Sequence, residues 1–252
     1  MSVPMTDVAE QLVSFRAPAS LEAEQYRALR QLVERLHRDA GLQVLAITSP
    51  GAGDGKSVTT LNLAGSLAQA RHARVLVIDA DLHRPSVASY LGLAGARADG
   101  LADVIQDTAV GLSTAVRRLD VLNISVLPPG TPQASPYELL ASARVEELIA
   151  EARRLYDFVL IDTPPVVPLA DCRLLGRSID GYIVVVAAHR TPRKLLGEAL
   201  TLLDPAKVIG VVFNGDNRPL SAYYGYYGYG APQRGSGRHV RWWQRASRAA
   251  RS

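Results

Sequence analysis

The sequence predicts an α/β domain built on a doubly wound, mostly parallel sheet. Three observations carry that prediction. Short runs such as VLAITS, VLVIDA and YIVVVAA are apolar on both faces, helical apolar spacing fills the intervals between them, and the first run passes into a helix through a glycine-rich turn ending in Gly-Lys-Ser. A strand buried on both faces needs cover above and below the sheet, and the alternation with helices provides it.

Taken in chain order, residues 1–20 show weak periodicity and are expected to form a flexible leader. From there to residue 216 the pattern is that of one folded domain. A helix opens it, with Leu21, Tyr26, Leu29, Val33 and Leu36 recurring near helical spacing between charges. Strands follow over 44–49, 74–80, 123–128, 158–163, 181–188 and 208–214, and helices over 56–71, 145–155 and 194–203. Tyr26 and Tyr137 fall in helical patterns and are expected in the core. Residues 217–252 break the pattern: SAYYGYYGYG is a low-complexity Tyr/Gly segment, and the remainder is rich in Arg, Ser and Gly, so a flexible tail is expected.

Composition bounds the class. With 252 residues, 48% hydrophobic and 21% charged, the chain has enough apolar surface for one large core. The single cysteine, Cys172, excludes an internal disulfide and a cysteine-based zinc site. No apolar run approaches the roughly 20 residues that span a bilayer, and the N-terminus lacks the basic and apolar regions of a secretion signal, so a cytoplasmic location is expected. The net charge of +4 is concentrated in Arg234, Arg238, Arg241, Arg245, Arg248 and Arg251; without them the rest is net acidic.

The chemistry-bearing residues sit at strand ends. In SPGAGDGKSVTT, glycines allow backbone N–H groups to turn inward around phosphates, and the following helix adds its positive end. This is a P-loop: Gly53, Asp54, Gly55, Lys56, Ser57 and Val58 are the expected nucleotide contacts, with Lys56 reaching the β- and γ-phosphates and Ser57 ligating Mg2+. Pro50 stands where the bare motif has its first glycine. VLVIDADLHRP places Asp79 and Asp81, and FVLIDTPP places Asp162, at carboxyl ends of strands, where doubly wound sheets bind ligands. Mg2+ normally takes one or two carboxylates plus phosphate oxygens, so three aspartates leave one over for proton chemistry.

The P-loop, DADLHRP and LIDTPP together resemble the bacterial tyrosine kinases of capsule and exopolysaccharide synthesis, the CpsD/CapB family, itself a branch of the MinD/ParA-like P-loop proteins. Two further features match. Glu24, Arg27 and Arg30 in EQYRALR have the spacing that this family uses for subunit contact, and Tyr223, Tyr224, Tyr226, Tyr227 and Tyr229 resemble its autophosphorylated tyrosine cluster. His83 departs from the family, which usually has arginine there, and Arg84 follows it. Asp54 replaces a usual glutamate, and Gly51 stands where the MinD/ParA proteins carry a signature lysine.

The resemblance implies transfer of the γ-phosphoryl group of ATP to tyrosine, with Mg2+ as cofactor. It implies that Lys56 neutralises the γ-phosphate, that Asp162 positions the metal with Ser57 and Asp79, and that Asp79 or Asp81 deprotonates the phenol, with Asp79 the first choice. Asn214, at the end of the last strand, matches the asparagine that contacts adenine. The implied partners are other copies in a homo-oligomer, a separate transmembrane activator that recruits the chain to the inner face of the membrane, and tyrosine-containing protein substrates. Under this reading nucleic acid is not an expected partner. The alternative is a MinD/ParA-type ATPase switch whose basic C-terminus, with Trp242 and Trp243 among its arginines, grips membrane or DNA.

Overall fold

The computed structural model describes residues 4–70, 72–93 and 99–216. The elements run α1 (Val13–Arg16), α2 (Leu21–Ala40), β1 (Val44–Thr48), α3 (Lys56–Leu67), β2 (Val75–Asp79), α4 (Val87–Tyr90), α5 (Leu101–Gln106), α6 (Leu112–Ala115), β3 (Arg117–Leu119) and β4 (Ile124–Leu127). The second half adds α7 (Pro136–Leu140), α8 (Ala143–Leu155), β5 (Phe158–Asp162), α9 (Asp171–Leu174), β6 (Gly181–Ala187), α10 (Arg193–Leu202) and β7 (Val208–Asn214), with single 3-10 turns at Leu175–Arg177 and Pro205–Lys207. The strands form one sheet in the order β3-β4-β2-β5-β1-β6-β7. Among the described residues only the β3–β4 pair is antiparallel. The expected doubly wound, mostly parallel sheet is therefore what the chain forms.

The continuous apolar runs are explained by two cores. Val44, Ala46, Val159 and Ile161 face one, with Val145, Leu148 and Ile149 of α8. Leu45, Ile47, Phe158 and Leu160 face the other, with Val33 of α2 and Leu61 and Leu63 of α3. Successive side chains point to opposite faces, so a strand covered on both sides must be apolar at every position. Helix α2 starts at Ser20, whose hydroxyl accepts from Ala23 N at 3.1 Å, and stops at Gly41 with φ 69°, a left-handed cap that glycine adopts without a Cβ penalty. Among the described residues no helix is long and apolar enough to cross a membrane.

Three expectations are corrected. The N-terminal stretch is not loose where it is described: Val8 and Leu12 are buried, Ser14 N donates to Asn62 Oδ1 at 2.9 Å, and Asn62 Nδ2 donates to Gln11 O at 2.9 Å. Phe15 lies against Gly65, where an added Cβ would stand 2.7 Å from the ring. The leader thus covers the outer side of α3, a helix whose periodicity is weak because almost every residue in it is buried. Tyr137 is 48% exposed, because only Leu139 and Leu140 of the short helix α7 reach the core. Strand β3, with its two arginines, has no apolar run and was not expected; it pairs at the sheet edge. The tyrosine cluster and the arginine-rich tail lie outside the described residues.

Candidate functional site

Strands β1, β2 and β5 lie side by side and end together, and their carboxyl ends build the site. The register pairs Asp79 with Asp162 and Ile47 with Asp162. The loop from β1 to α3 therefore starts beside both carboxylates. Gly53 and Gly55 have φ of 80° and 94°, and Gly55 is the residue from which α3 begins. Both angles belong to the left-handed region that glycine enters freely. The loop N–H groups and the N-terminus of a twelve-residue helix meet at one place, which suits an anion.

Lys56 Nζ lies 2.7 Å from Asp81 Oδ2 and 3.9 Å from Asp162 Oδ2. Burial alone would lower its pKa, but the charges of Asp162, Asp81 and Asp79 outweigh that and hold it up, so the ammonium stays charged. Ser57 Oγ donates to Asp162 Oδ2 at 2.5 Å and is met by Ser86 Oγ at 2.9 Å. Asp162 also lies 3.5 Å from Thr60 Oγ1. Burial raises the Asp162 carboxyl despite the attraction of Lys56 and the hydrogen bond from Ser57. Asp79 is raised further, first by burial and then by the charge of Asp162.

A cavity of about 560 Å³ opens over this arrangement. Its lining includes Gly53, Gly55, Lys56, Ser57, Val58, Asp81, His83, Arg84, Ser86 and Tyr90, together with Pro165, Pro168 and Leu169. Of the expected catalytic residues, Lys56 and Asp81 reach the cavity wall. Asp79 does not: it is fully buried, and Oδ2 accepts from Ser86 N and Val87 N, each at 3.1 Å. In this geometry Asp79, expected as the first choice of base, is set back from the cavity, whereas Asp81 reaches it. Asp81 keeps one oxygen on Lys56 and the other on Arg84 N at 3.0 Å.

The site suits Mg2+ by its donor set. Ser57 and Asp162 offer adjacent oxygens, and Asp79 Oδ1 is buried without a hydrogen-bond partner. An unsatisfied buried carboxylate oxygen is costly, and a hard cation with oxygen preference would satisfy it.

Two expected nucleotide contacts play a different part. Asp54 turns its carboxylate into the loop, accepting from Gly51 N at 3.1 Å and from Thr191 Oγ1 at 2.7 Å. Asn214 Nδ2 donates to Asp54 O at 3.0 Å and packs so tightly on Gly55 that a Cβ there would collide with it. Neither residue lines the cavity. Arg190, on the turn after β6, donates to Gly53 O. The P-loop is thus braced by the ends of β6 and β7, which sequence reasoning missed for Thr191 and Arg190; nothing local marks them. Ser86 and Thr60 were also missed, although Ser86 directly follows DADLHRP and Thr60 lies one turn beyond Lys56.

The proposed subunit-contact trio divides in the structure. Arg27 pairs with Glu24 on the outer face of α2, whereas Arg30 turns to Glu34 Oε1 at 2.7 Å and to Ser66 O, at the end of α3, at 2.9 Å.

Comparison with known proteins agrees with this geometry. The family described as an AAA domain matches residues 42–198. The chain is 35% identical over 219 residues to "Tyrosine-protein kinase YwqD" of Bacillus subtilis (strain 168), covering 86% of this chain and 91% of that protein. It is 32% identical over 223 residues to "Tyrosine-protein kinase wzc" of Salmonella typhi, covering 87% of this chain but only 30% of that longer protein. Among solved structures, the kinase domain of Escherichia coli tyrosine kinase ETK superposes with a TM-score of 0.76, with 25% identity and 84% of each chain covered. A P-loop beside three strand-end aspartates, on this sheet order and with this likeness along most of its length, means that the chain belongs to the bacterial tyrosine-protein kinase family.

Proposed function

We propose that the chain is an ATP- and Mg2+-dependent protein-tyrosine kinase that serves capsular or exopolysaccharide synthesis and export. The observation that carries this reading is the juxtaposition of Lys56 and Asp81, 2.7 Å apart at the wall of a cavity that the P-loop floors, in a chain of this family. Phosphoryl transfer needs alignment and charge neutralisation more than covalent chemistry. Lys56 would leave Asp81 for the β- and γ-phosphates, the loop N–H groups would hold the phosphate chain, and Asp81, released, would orient the acceptor hydroxyl. Ser57, Asp162 and Asp79 would hold Mg2+, which supplies charge neutralisation at the phosphate oxygens when bound.

The acceptors in this reading are Tyr223, Tyr224, Tyr226, Tyr227 and Tyr229, offered to neighbouring copies in a homo-oligomer to which Glu24, Arg27 and Arg30 contribute. A separate transmembrane activator would bring the chain to the inner face of the membrane, with the basic tail adding about 1 kcal/mol per residue near anionic lipid. Phosphotyrosine-specific mass spectrometry after incubation with Mg2+ and ATP tests the assignment. Modified tyrosines within residues 221–230 are expected; ADP formation without any phosphotyrosine would replace the kinase with an ATPase switch.

A further inference from the structure

We propose that His83, oriented by the buried carboxylate of Asp171, accepts the phenolic proton of the tyrosine during transfer; this deepens the kinase reading and rests on it. His83 Nε2 lies 2.8 Å from Asp171 Oδ2. Asp171 is only 3% exposed and is the first residue of α9, so its carboxylate is fixed. The His83 side chain is 35% exposed and lines the cavity with Lys56, Ser57 and Asp81. A carboxylate only accepts, so Nε2 carries the shared hydrogen, and this tautomer leaves the lone pair of Nδ1 available. Among the described residues nothing bonds to Nδ1.

The neighbouring carboxylates are poorly placed for the same task. Asp81 keeps one oxygen on Arg84 N, and the other, once Lys56 has moved to the phosphates, is taken up in orienting the acceptor hydroxyl; Asp79 is fully buried. The other ionisable groups around His83 are Asp171 from α9, Lys56 from α3, Asp81 and Arg84 from its own loop, and Tyr90 from α4. In the step, the tyrosine oxygen bonds to the γ-phosphorus as the bond from that phosphorus to the β,γ-bridging oxygen breaks. The electron pair leaves with ADP. The phenolic proton passes to Nδ1, and the imidazolium so formed is stabilised by Asp171 until it returns the proton to water. Arginine, usual at this position in the resembled family, could pair with Asp171 but cannot accept a proton. A clamp and a base therefore predict different outcomes for the same substitution.

The test uses the full chain with Mg2+, ATP and a peptide of residues 221–230, made with either tyrosine or 3,5-difluorotyrosine. Thermal shift by Mg2+ and ATP confirms that each variant is folded and binds nucleotide. His83→Gln and His83→Arg should both lower kcat on the tyrosine peptide by roughly 10²-fold or more, with KM for ATP unchanged. The fluorinated peptide, whose phenol ionises more readily, should recover at least about tenfold of that loss. Asp171→Asn should lower kcat in the same direction and be partly recovered in the same way. Wild-type kcat in His83→Arg would show a clamp; a loss equal for both peptides, or one confined to KM for ATP, would likewise overturn the proposal. Absence of phosphotyrosine from the wild-type protein would instead remove the kinase reading itself.

Discussion

Asp79 and Asp162 stand opposite each other in register on the adjacent parallel strands β2 and β5, both fully buried. Burial and then the charge of Asp162 raise the Asp79 carboxyl, and the pair is offset by the ammonium of Lys56. Two carboxylates at one buried place are a cost to the ligand-free fold, tolerable where a cation is to be bound.

Asp79→Asn should therefore stabilise the ligand-free protein while removing its response to Mg2+ and ATP. The amide oxygen can still accept from Ser86 N and Val87 N, so the β2–α4 loop is kept. The sign with pH follows from burial and Asp162 raising the Asp79 carboxyl from 3.8 to about 8 in the folded chain. Between those values the folded state holds more protons than the unfolded one, so ligand-free stability falls as pH rises through that window. Melting curves across it should slope downward for the wild type and less for Asp79→Asn. At pH 8 the variant should melt several degrees higher, at about 2–4 °C per kcal/mol for a chain of this size. Parallel slopes for the two proteins would refute the account.

Lys56→Met should lower phosphoryl transfer by at least about 10²-fold, because the ammonium at the phosphate site is lost while Asp81 and Asp162 remain. The fold should persist, since the two cores do not include this residue. Radiolabel transfer at saturating ATP, with circular dichroism as the control, measures both; turnover near wild type would contradict the assigned role.

Much of the site could be read from the sequence because its residues cluster in three short segments at strand ends, and the topology places those ends together. Lys56, Ser57 and Asp162 meet as expected. What could not be read depends on long-range packing. Asn214 looks like a base contact by position, yet it braces the loop through a bond to Asp54 O across 160 residues. Thr191 and Arg190 brace it from another strand end, in a segment with no motif. The leader was missed for a related reason: Val8 and Leu12 are too few to give a period, and their value lies in covering α3.

That cover should be measurable. Leu12→Ala removes a fully buried side chain, and large-to-small changes of this kind cost about 2–5 kcal/mol, toward the lower end where a terminal segment can relax. Urea unfolding should show the midpoint falling with little change in kcat below the transition. A variant as stable as the wild type would mean that the N-terminal segment is dispensable to the core.

Gly55→Ala separates two demands made on one residue. The position has φ of 94°, which a Cβ opposes wherever it occurs, and the added Cβ would also run into Asn214 Nδ2. If the collision dominated, Asn214→Ala would open the space and restore the loop in the double variant. The backbone strain cannot be relieved in this way, and Asn214→Ala additionally releases the carbonyl of Asp54 that it holds at 3.0 Å. The double variant should therefore bind ATP no better than Gly55→Ala alone, each about tenfold or more weaker than wild type, on the order of 1.4 kcal/mol. Asn214→Ala by itself should show a smaller loss, because it leaves the glycine conformation intact. Isothermal titration with a non-hydrolysable ATP analogue and Mg2+ gives all four corners of the cycle. Recovery of near wild-type affinity in the double variant would show that crowding by Asn214, and not the left-handed backbone, is what reserves this position for glycine.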